Sequence, residues 1–243
     1  MFSIFKKEIN TFFSSLIGYI VIGIFLLLTG LLLWIFPDTS LLNQNVASID
    51  QLFDLAPMIF TFLIPAVTMR LFAEEKQTGT IEFLTTKPLT DWAIISGKYG
   101  AGVVLVALAL IPTLVYYVTM YQLGSPKGNL DSGAIAGSYI GLLFLGSAFV
   151  AIGLFASSLT NNQIVAFLIA AFLCFFMHWG FDFLSRLPIF SAKGDDIVQM
   201  FGITYHYQSI SRGVVVLSDV VYYFSLIGLF LLMTKMSLES RKW

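Results

Sequence analysis

Charge is what this sequence has least of. Asp, Glu, Lys and Arg make up only 11% of its 243 residues, against 58% hydrophobic residues and a mean hydropathy of +0.87. Soluble domains carry about 25% charged and about 45–50% apolar residues. A water-soluble globule is therefore excluded and an integral membrane protein indicated. Cysteine is nearly missing too: Cys174 stands alone inside an apolar run, so no intramolecular disulfide can form. No basic run of the kind that grips nucleic acid is present. Short catalytic motifs are also wanting. A phosphate-cradling Gly-x4-Gly-Lys-[Ser/Thr] loop needs a glycine where Trp92 stands and a hydroxyl where Tyr99 follows Gly97-Lys98. Neither His-Glu-x-x-His nor Gly-x-Ser-x-Gly occurs. The chain is not expected to hydrolyse ATP by itself, to be an enzyme, or to bind a metal or cofactor directly.

What the chain does have is long apolar runs. A spanning helix needs about 20 mostly apolar residues. Six stretches qualify or nearly do: residues 17–36, 52–71, 99–122, 134–157, 164–184 and 220–236. The expected fold is thus an all-α membrane protein with six spans in one domain, residues 1–243, and both termini on one side. If that side is the cytoplasm, it holds nine Lys and Arg (Lys6, Lys7, Arg70, Lys76, Lys87, Lys98, Lys235, Arg241 and Lys242). The other side holds four: Lys127, Arg186, Lys193 and Arg212. Positive residues concentrate inside, so this orientation is favoured. Met1 to Lys7 looks like the start of a signal peptide, but the apolar run behind it is too long and has no Ala-x-Ala site, which predicts a retained helix. Ile4, Phe5, Ile9, Phe12, Phe13 and Leu16 fall near one helical face, predicting an interfacial helix over residues 1–16.

Between the second and third runs lies a polar island, Arg70 to Lys98. It carries Glu74, Glu75, Lys76, Glu82, Lys87 and Asp91. Thr78-Gly79 should break the preceding helix. Thr80 to Leu84 then suits a short amphipathic turn, Pro88 stops it, and Thr90 is placed to cap the next helix. The sequence thus predicts a rigid handle, residues 73–92, on a buried body. Pro57 and Pro65 should bend the second span. Gly137 and Gly141 give the fourth span GxxxG spacing for close helix packing. Residues 186–218 are too polar to span and too apolar for a free loop. They predict two short helices dipping into the outer leaflet, followed by Tyr222 and Tyr223 at the outer interface.

Ionisable residues within spans are candidates for a pathway or relay. Cys174, His178 and Asp182 fall at i, i+4 and i+8 of the fifth span, and Asp54 near the outer end of the second. One helix climbs about 6 Å per such step, so these three cannot reach a single ion unaided. Asp182 is also placed to pair with Arg186.

The pattern Glu-Glu-Lys-x-x-Gly-Thr-x-Glu-x-Leu-x-x-x-Pro over residues 74–88, then Gly97-Lys98, resembles the ABC-2 class of ATP-binding-cassette transporter permeases. Lys7-Glu8 before a Phe-rich helix resembles that family's amino-terminal elbow. Ser209-x-x-Arg212-Gly213-Val214, then Asp219-Val-Val-Tyr222, resembles its carboxy-terminal signature. Within the class the pattern is most similar to the gliding-motility-associated permease subunit of Bacteroidota, with the copper-processing permease of nitrous oxide reductase maturation a relative. The resemblance implies a bacterial inner-membrane location and cytoplasmic termini. It also implies a second permease subunit, identical or related, and a separate ABC ATPase that binds ATP and Mg. The island would be the coupling helix docking on that ATPase. Glu74, Glu75, Lys76, Gly79, Thr80, Glu82, Phe83 and Pro88 would be its contact and hinge residues.

Overall fold

This computed structural model describes residues 1–43, 47–80, 90–187 and 194–240. Among them the regular structure is entirely helical. A first helix, α1 (Phe2–Ser14), meets α2 (Leu16–Trp34) at a bend of 68°. The break falls at Ser15, which is extended (φ −102°, ψ 150°) and donates its hydroxyl to the Phe12 carbonyl. The second span is α3 (Asp50–Thr68) with α4 (Arg70–Gln77) prolonging it. The third is α5 (Asp91–Leu110), a 3-10 turn at Ile111–Thr113 and α6 (Leu114–Leu123). The fourth is α7 (Ser132–Leu159). The fifth is α8 (Gln163–Phe175), a π turn at Phe176–Gly180 and α9 (Phe181–Ser185). Two short helices, α10 (Asp195–Gln199) and α11 (Ile203–Ile210), precede α12 (Leu217–Glu239). Five of these stretches are long and apolar enough to cross a bilayer, six when the bent α1–α2 pair counts as one. The chain is a multi-pass membrane protein of the expected class.

Polar caps set the amino-terminal ends of α5, α7 and α8. Thr90 accepts from Ala93 N, Asp131 from Gly133 N and Ala134 N, and Asn162 from Ile164 N and Val165 N. Each satisfies amides that have no partner inside the helix.

The core is built around α7, the most enclosed of the spans. Its small residues do the work predicted for GxxxG, and they do it within the subunit. A Cβ on Gly137 would lie 2.5 Å from the Gly213 carbonyl, and one on Gly141 2.3 Å from Ile210 Cγ2. The fourth span therefore receives the α11 segment directly on its glycine face. Tyr223 departs from expectation: it is fully buried and stacks on Phe144 rather than facing an interface. Half-buried Tyr222 stacks on His206 at 3.9 Å.

The prolines of α3 show how an interior tolerates them. Pro57 has no amide proton, so the Phe53 carbonyl one turn back loses its helical partner. The Tyr207 hydroxyl, from α11, donates to that carbonyl at 2.7 Å. Thr61 and Thr68 donate to the Pro57 and Ile64 carbonyls, both at 2.9 Å. A short helix 150 residues away in sequence thus completes the bent second span.

Contacts divide the molecule into two ends. At one, here the terminal face, α1, α4, the start of α5, the α7–α8 turn and the end of α12 meet: Ser237 Oγ donates to the Ser158 carbonyl, as does Lys76 Nζ. At the other lie residues 35–43, 47–50, 124–131 and 211–216; Gly124 packs near Ala47, and a cleft there is lined by Asp50, Asp131 and Arg212.

Candidate functional site

The terminal face holds a cluster of charges at the root of the island. Glu8 sits on the buried face of α1 between Ile4 and Phe12, one turn from each. Glu75 is buried on α4, and Lys98 on α5 is 1% exposed. The Lys98 ammonium donates to Glu8 Oε1 at 2.8 Å and to the Leu71 carbonyl at 2.6 Å, and lies 2.9 Å from Glu75 Oε1 as an ion pair. Lys7 joins from the rim, 2.6 Å from Glu75 Oε1 and 3.4 Å from Glu8 Oε1. Two cations and two anions from three helices thus form one neutral knot. Burial alone would lower the Lys7 pKa, but the hydrogen bond and charge of Glu75, and then of Glu8, outweigh it and hold it above the usual 10.5.

Why the knot forms follows from the local sequence. Gly97 lets α1 lie flush on α5, since a Cβ there would sit 3.0 Å from Ile4 Cβ. Phe72, one turn from Thr68, brings its ring within 5.1 Å of Lys98 Nζ. Ser157 of α7 accepts from the amides of Phe72 and Ala73, both at 3.0 Å, and donates to the Met69 carbonyl at 2.8 Å. That bond set bridges the joint between α3 and α4, where Met69 interrupts the helix. Beside the knot is a cleft of about 190 Å³, walled by Lys7, Glu8, Arg70, Glu74, Glu75 and Thr80 among others.

The island residues fall into three groups. Glu74 pairs with Arg70 at 2.9 Å and stays 42% exposed on its side chain. Lys76 turns to the Ser158 carbonyl, and Glu75 turns inward instead of lying on an outer contact surface. Gly79 ends the helix with φ +70°, a conformation glycine adopts without a Cβ clash, and Thr80 is exposed, its hydroxyl 3.0 Å from that of Thr78. Glu82, Phe83 and Pro88, with the expected amphipathic turn, lie outside the described residues. The described chain leaves one braced helix at Gly79 and enters another after Thr90.

The intramembrane candidates do not gather. Cys174 and His178 are buried, but the π turn at Phe176–Gly180 adds a residue to the helical turn, which breaks the expected common face before Asp182. Asp182 pairs with Arg186 at 2.7 Å, as the spacing predicts. His178 lies among Phe149, Trp179 and Tyr207, its Nδ1 without a hydrogen-bond partner among the described residues. Among the described residues, no three His, Cys, Asp or Glu side chains converge in a metal-holding group. Asp54 is exposed on α3.

Sequence reasoning singled out Lys7, Glu8 and Lys98 only as motif letters, and their convergence went unread. The available signal was a lysine followed by a tyrosine inside an apolar helix, and a glutamate one turn from Ile4 and Phe12. A second pair was also missed. His206 Nδ1 lies 2.8 Å from Asp219 Oδ1, and Ser209 donates to Asp219 Oδ2 at 2.6 Å, tying α11 to α12.

A model of the ABC-2 family of transporter proteins matches residues 36–201, well over half the chain. A probable multidrug ABC transporter permease, YbhR of Escherichia coli strain K12, is 30% identical over 114 residues, 47% of this chain and 29% of the relative. Its counterpart in E. coli O157:H7 matches to the same extent. The chain thus spans less than a third of the length of these curated relatives.

Proposed function

The chain belongs to the ABC-2 family of transporter proteins, and from that premise we propose that it is a permease subunit driven by a separate ABC ATPase docking on residues 73–92. The observation that carries this is the braced root of that segment. The knot of Lys7, Glu8, Glu75 and Lys98, with Ser157 and Lys76 beside it, ties α1, α4, α5 and α7 together. A docked partner would push on a short segment fixed at both ends, and force would pass into the second and third spans as rigid-body motion. Within the segment, half-buried Glu74 and exposed Thr80 precede Glu82 and Phe83, which supply an acidic and an aromatic contact, the aromatic as buried anchor. The nine-to-four distribution of Lys and Arg supports a cytoplasmic terminal face in a bacterial inner membrane. A second permease subunit, identical or related, completes the assembly, and ATP and Mg belong to the ATPase.

The finer reading, mechanical work or export in gliding motility, rests on the motif resemblance. Its competitor is small-molecule export of the kind named for the multidrug relative. Co-purification with mass spectrometry identifies the subunits, and adding candidate drugs to the purified complex separates the two, because only an exporter's ATPase responds to them. Glu82→Lys and Phe83→Asp should each remove the permease's stimulation of the ATPase while leaving insertion intact. Undiminished stimulation in both would reduce the chain to a membrane anchor.

A further inference from the structure

We propose that the cleft beside the charge knot is the headgroup site of a phospholipid carrying a phosphate and a primary ammonium, with Arg70 holding the phosphate and Glu74 and Glu75 the ammonium. The inference goes beyond the coupling reading and stands without it, since it concerns only the chain and its bilayer.

Arg70 has donors that the described packing does not use. Its side chain is only 12% exposed, yet its one hydrogen bond runs from Nε to Glu74 Oε2. A guanidinium has five N–H donors. Among the described residues four of them meet no acceptor, those of buried Nη1 included. Buried donors are nearly always satisfied, and this planar fork matches a phosphate in bidentate fashion. Phosphate alone is a poor fit, however. Lys7, Arg70 and Lys98 are already matched by Glu8, Glu74 and Glu75, so a lone anion would leave the cleft negative. Acceptors are in surplus as well. Glu75 Oε2 is buried without a hydrogen-bond partner among the described residues, and half-buried Glu74 gives Arg70 only one oxygen. A zwitterion whose ammonium has protons to donate satisfies both sets; a fully methylated ammonium has none to give.

Placement selects a lipid over a free solute. The 68° bend turns α1 toward the membrane plane. Its Phe12 ring centre lies 6.0 Å from Arg70 Cζ, and Phe12 lines both the cleft and a narrow apolar furrow that continues between α2, α3 and α5. Phe60, Ile64 and Val67 wall that furrow on α3. From Phe60 to Arg70 the helical rise is about 15 Å, half of a hydrocarbon core of about 30 Å. Cleft and furrow together therefore match one leaflet, the headgroup in the cleft and an acyl chain lying along the furrow.

Native mass spectrometry of the purified protein, with whatever subunits it carries, tests this by adding phosphatidylethanolamine, phosphatidylcholine and phosphatidylglycerol in turn. Phosphatidylethanolamine should bind roughly tenfold tighter than the other two. Arg70→Gln should lower that affinity roughly tenfold, and Arg70→Lys, which keeps the charge but not the fork, should restore only part of it. Where an Arg70 variant fails to assemble, Glu74→Gln decides: it should weaken phosphatidylethanolamine alone and bring it close to phosphatidylcholine. Equal affinity for the three lipids, or a phosphatidylethanolamine affinity untouched by Glu74→Gln, would overturn the inference. So would displacement of the lipid by excess inorganic phosphate, which would mark a free-anion site. Lipid binding only after partner subunits are stripped away would assign the cleft to a protein contact and overturn it too.

Discussion

At the scale of single residues, the buried lysine decides most. Lys98→Met leaves the buried Glu8 and Glu75 to share the ammonium of rim Lys7, and losing one partner of a buried ion pair costs up to about 3–5 kcal/mol. The melting temperature in detergent should drop clearly for this variant and recover when Glu8→Gln and Glu75→Gln are added. A drop that persists in the combined variant would mean that the lysine stem, and not its charge, holds the helices. Lys7 adds a pH dependence. Its pKa is raised by folding, so its contribution is complete below its unfolded value of about 10.4 and is lost as pH rises through the higher folded one. Labels on Lys6 and Thr78 should keep their separation at pH 9 and drift apart only above pH 10.5. Loosening at neutral pH would contradict the pairing with Glu75.

At the scale of elements, the bent second span and the α11 segment form one unit. Tyr207→Phe leaves the Phe53 carbonyl buried without a donor, a loss of about 1–3 kcal/mol. Pro57→Ala restores the helical amide that this carbonyl lacks. In the Pro57→Ala background the Tyr207→Phe loss should therefore shrink toward zero, a coupling that a double-mutant cycle of unfolding measurements reads directly. Strict additivity would show that Tyr207 acts elsewhere. Gly137→Ala should separate α11 from α7, because its Cβ meets the Gly213 backbone, which has no side chain to move aside. Protease sensitivity within residues 203–216 reports that separation. The elements themselves were legible in the sequence because their signals are local: apolar length, caps at Thr90, Asp131 and Asn162, and the Gly79 stop. The convergence of residues 8, 75 and 98 was not. It depends on how α1 folds back, and nothing near Glu8 in sequence says which helix it will meet. The π turn was invisible for a related reason, since residues 174–182 read equally well as a continuous α-helix.

At the scale of the whole molecule, the protein is a membrane body whose terminal face is stiffened by charges and whose opposite face is closed by α10 and α11. The small residues of the fourth span are consumed in packing inside this subunit, so α7 is an internal pillar. Any permease–permease contact must use other, lipid-facing apolar surface, of which α2 and α8 offer a good deal. The face that receives the ATPase is the central claim, and site-directed cross-linking tests it most directly. Cysteine placed at Phe83 or at Ser125, with native Cys174 buried, is treated with a short bifunctional reagent in the assembled complex. The account predicts a cross-link to the ATPase from position 83 and none from position 125. A cross-link from 125, or none from 83 in a complex that hydrolyses ATP, would contradict it.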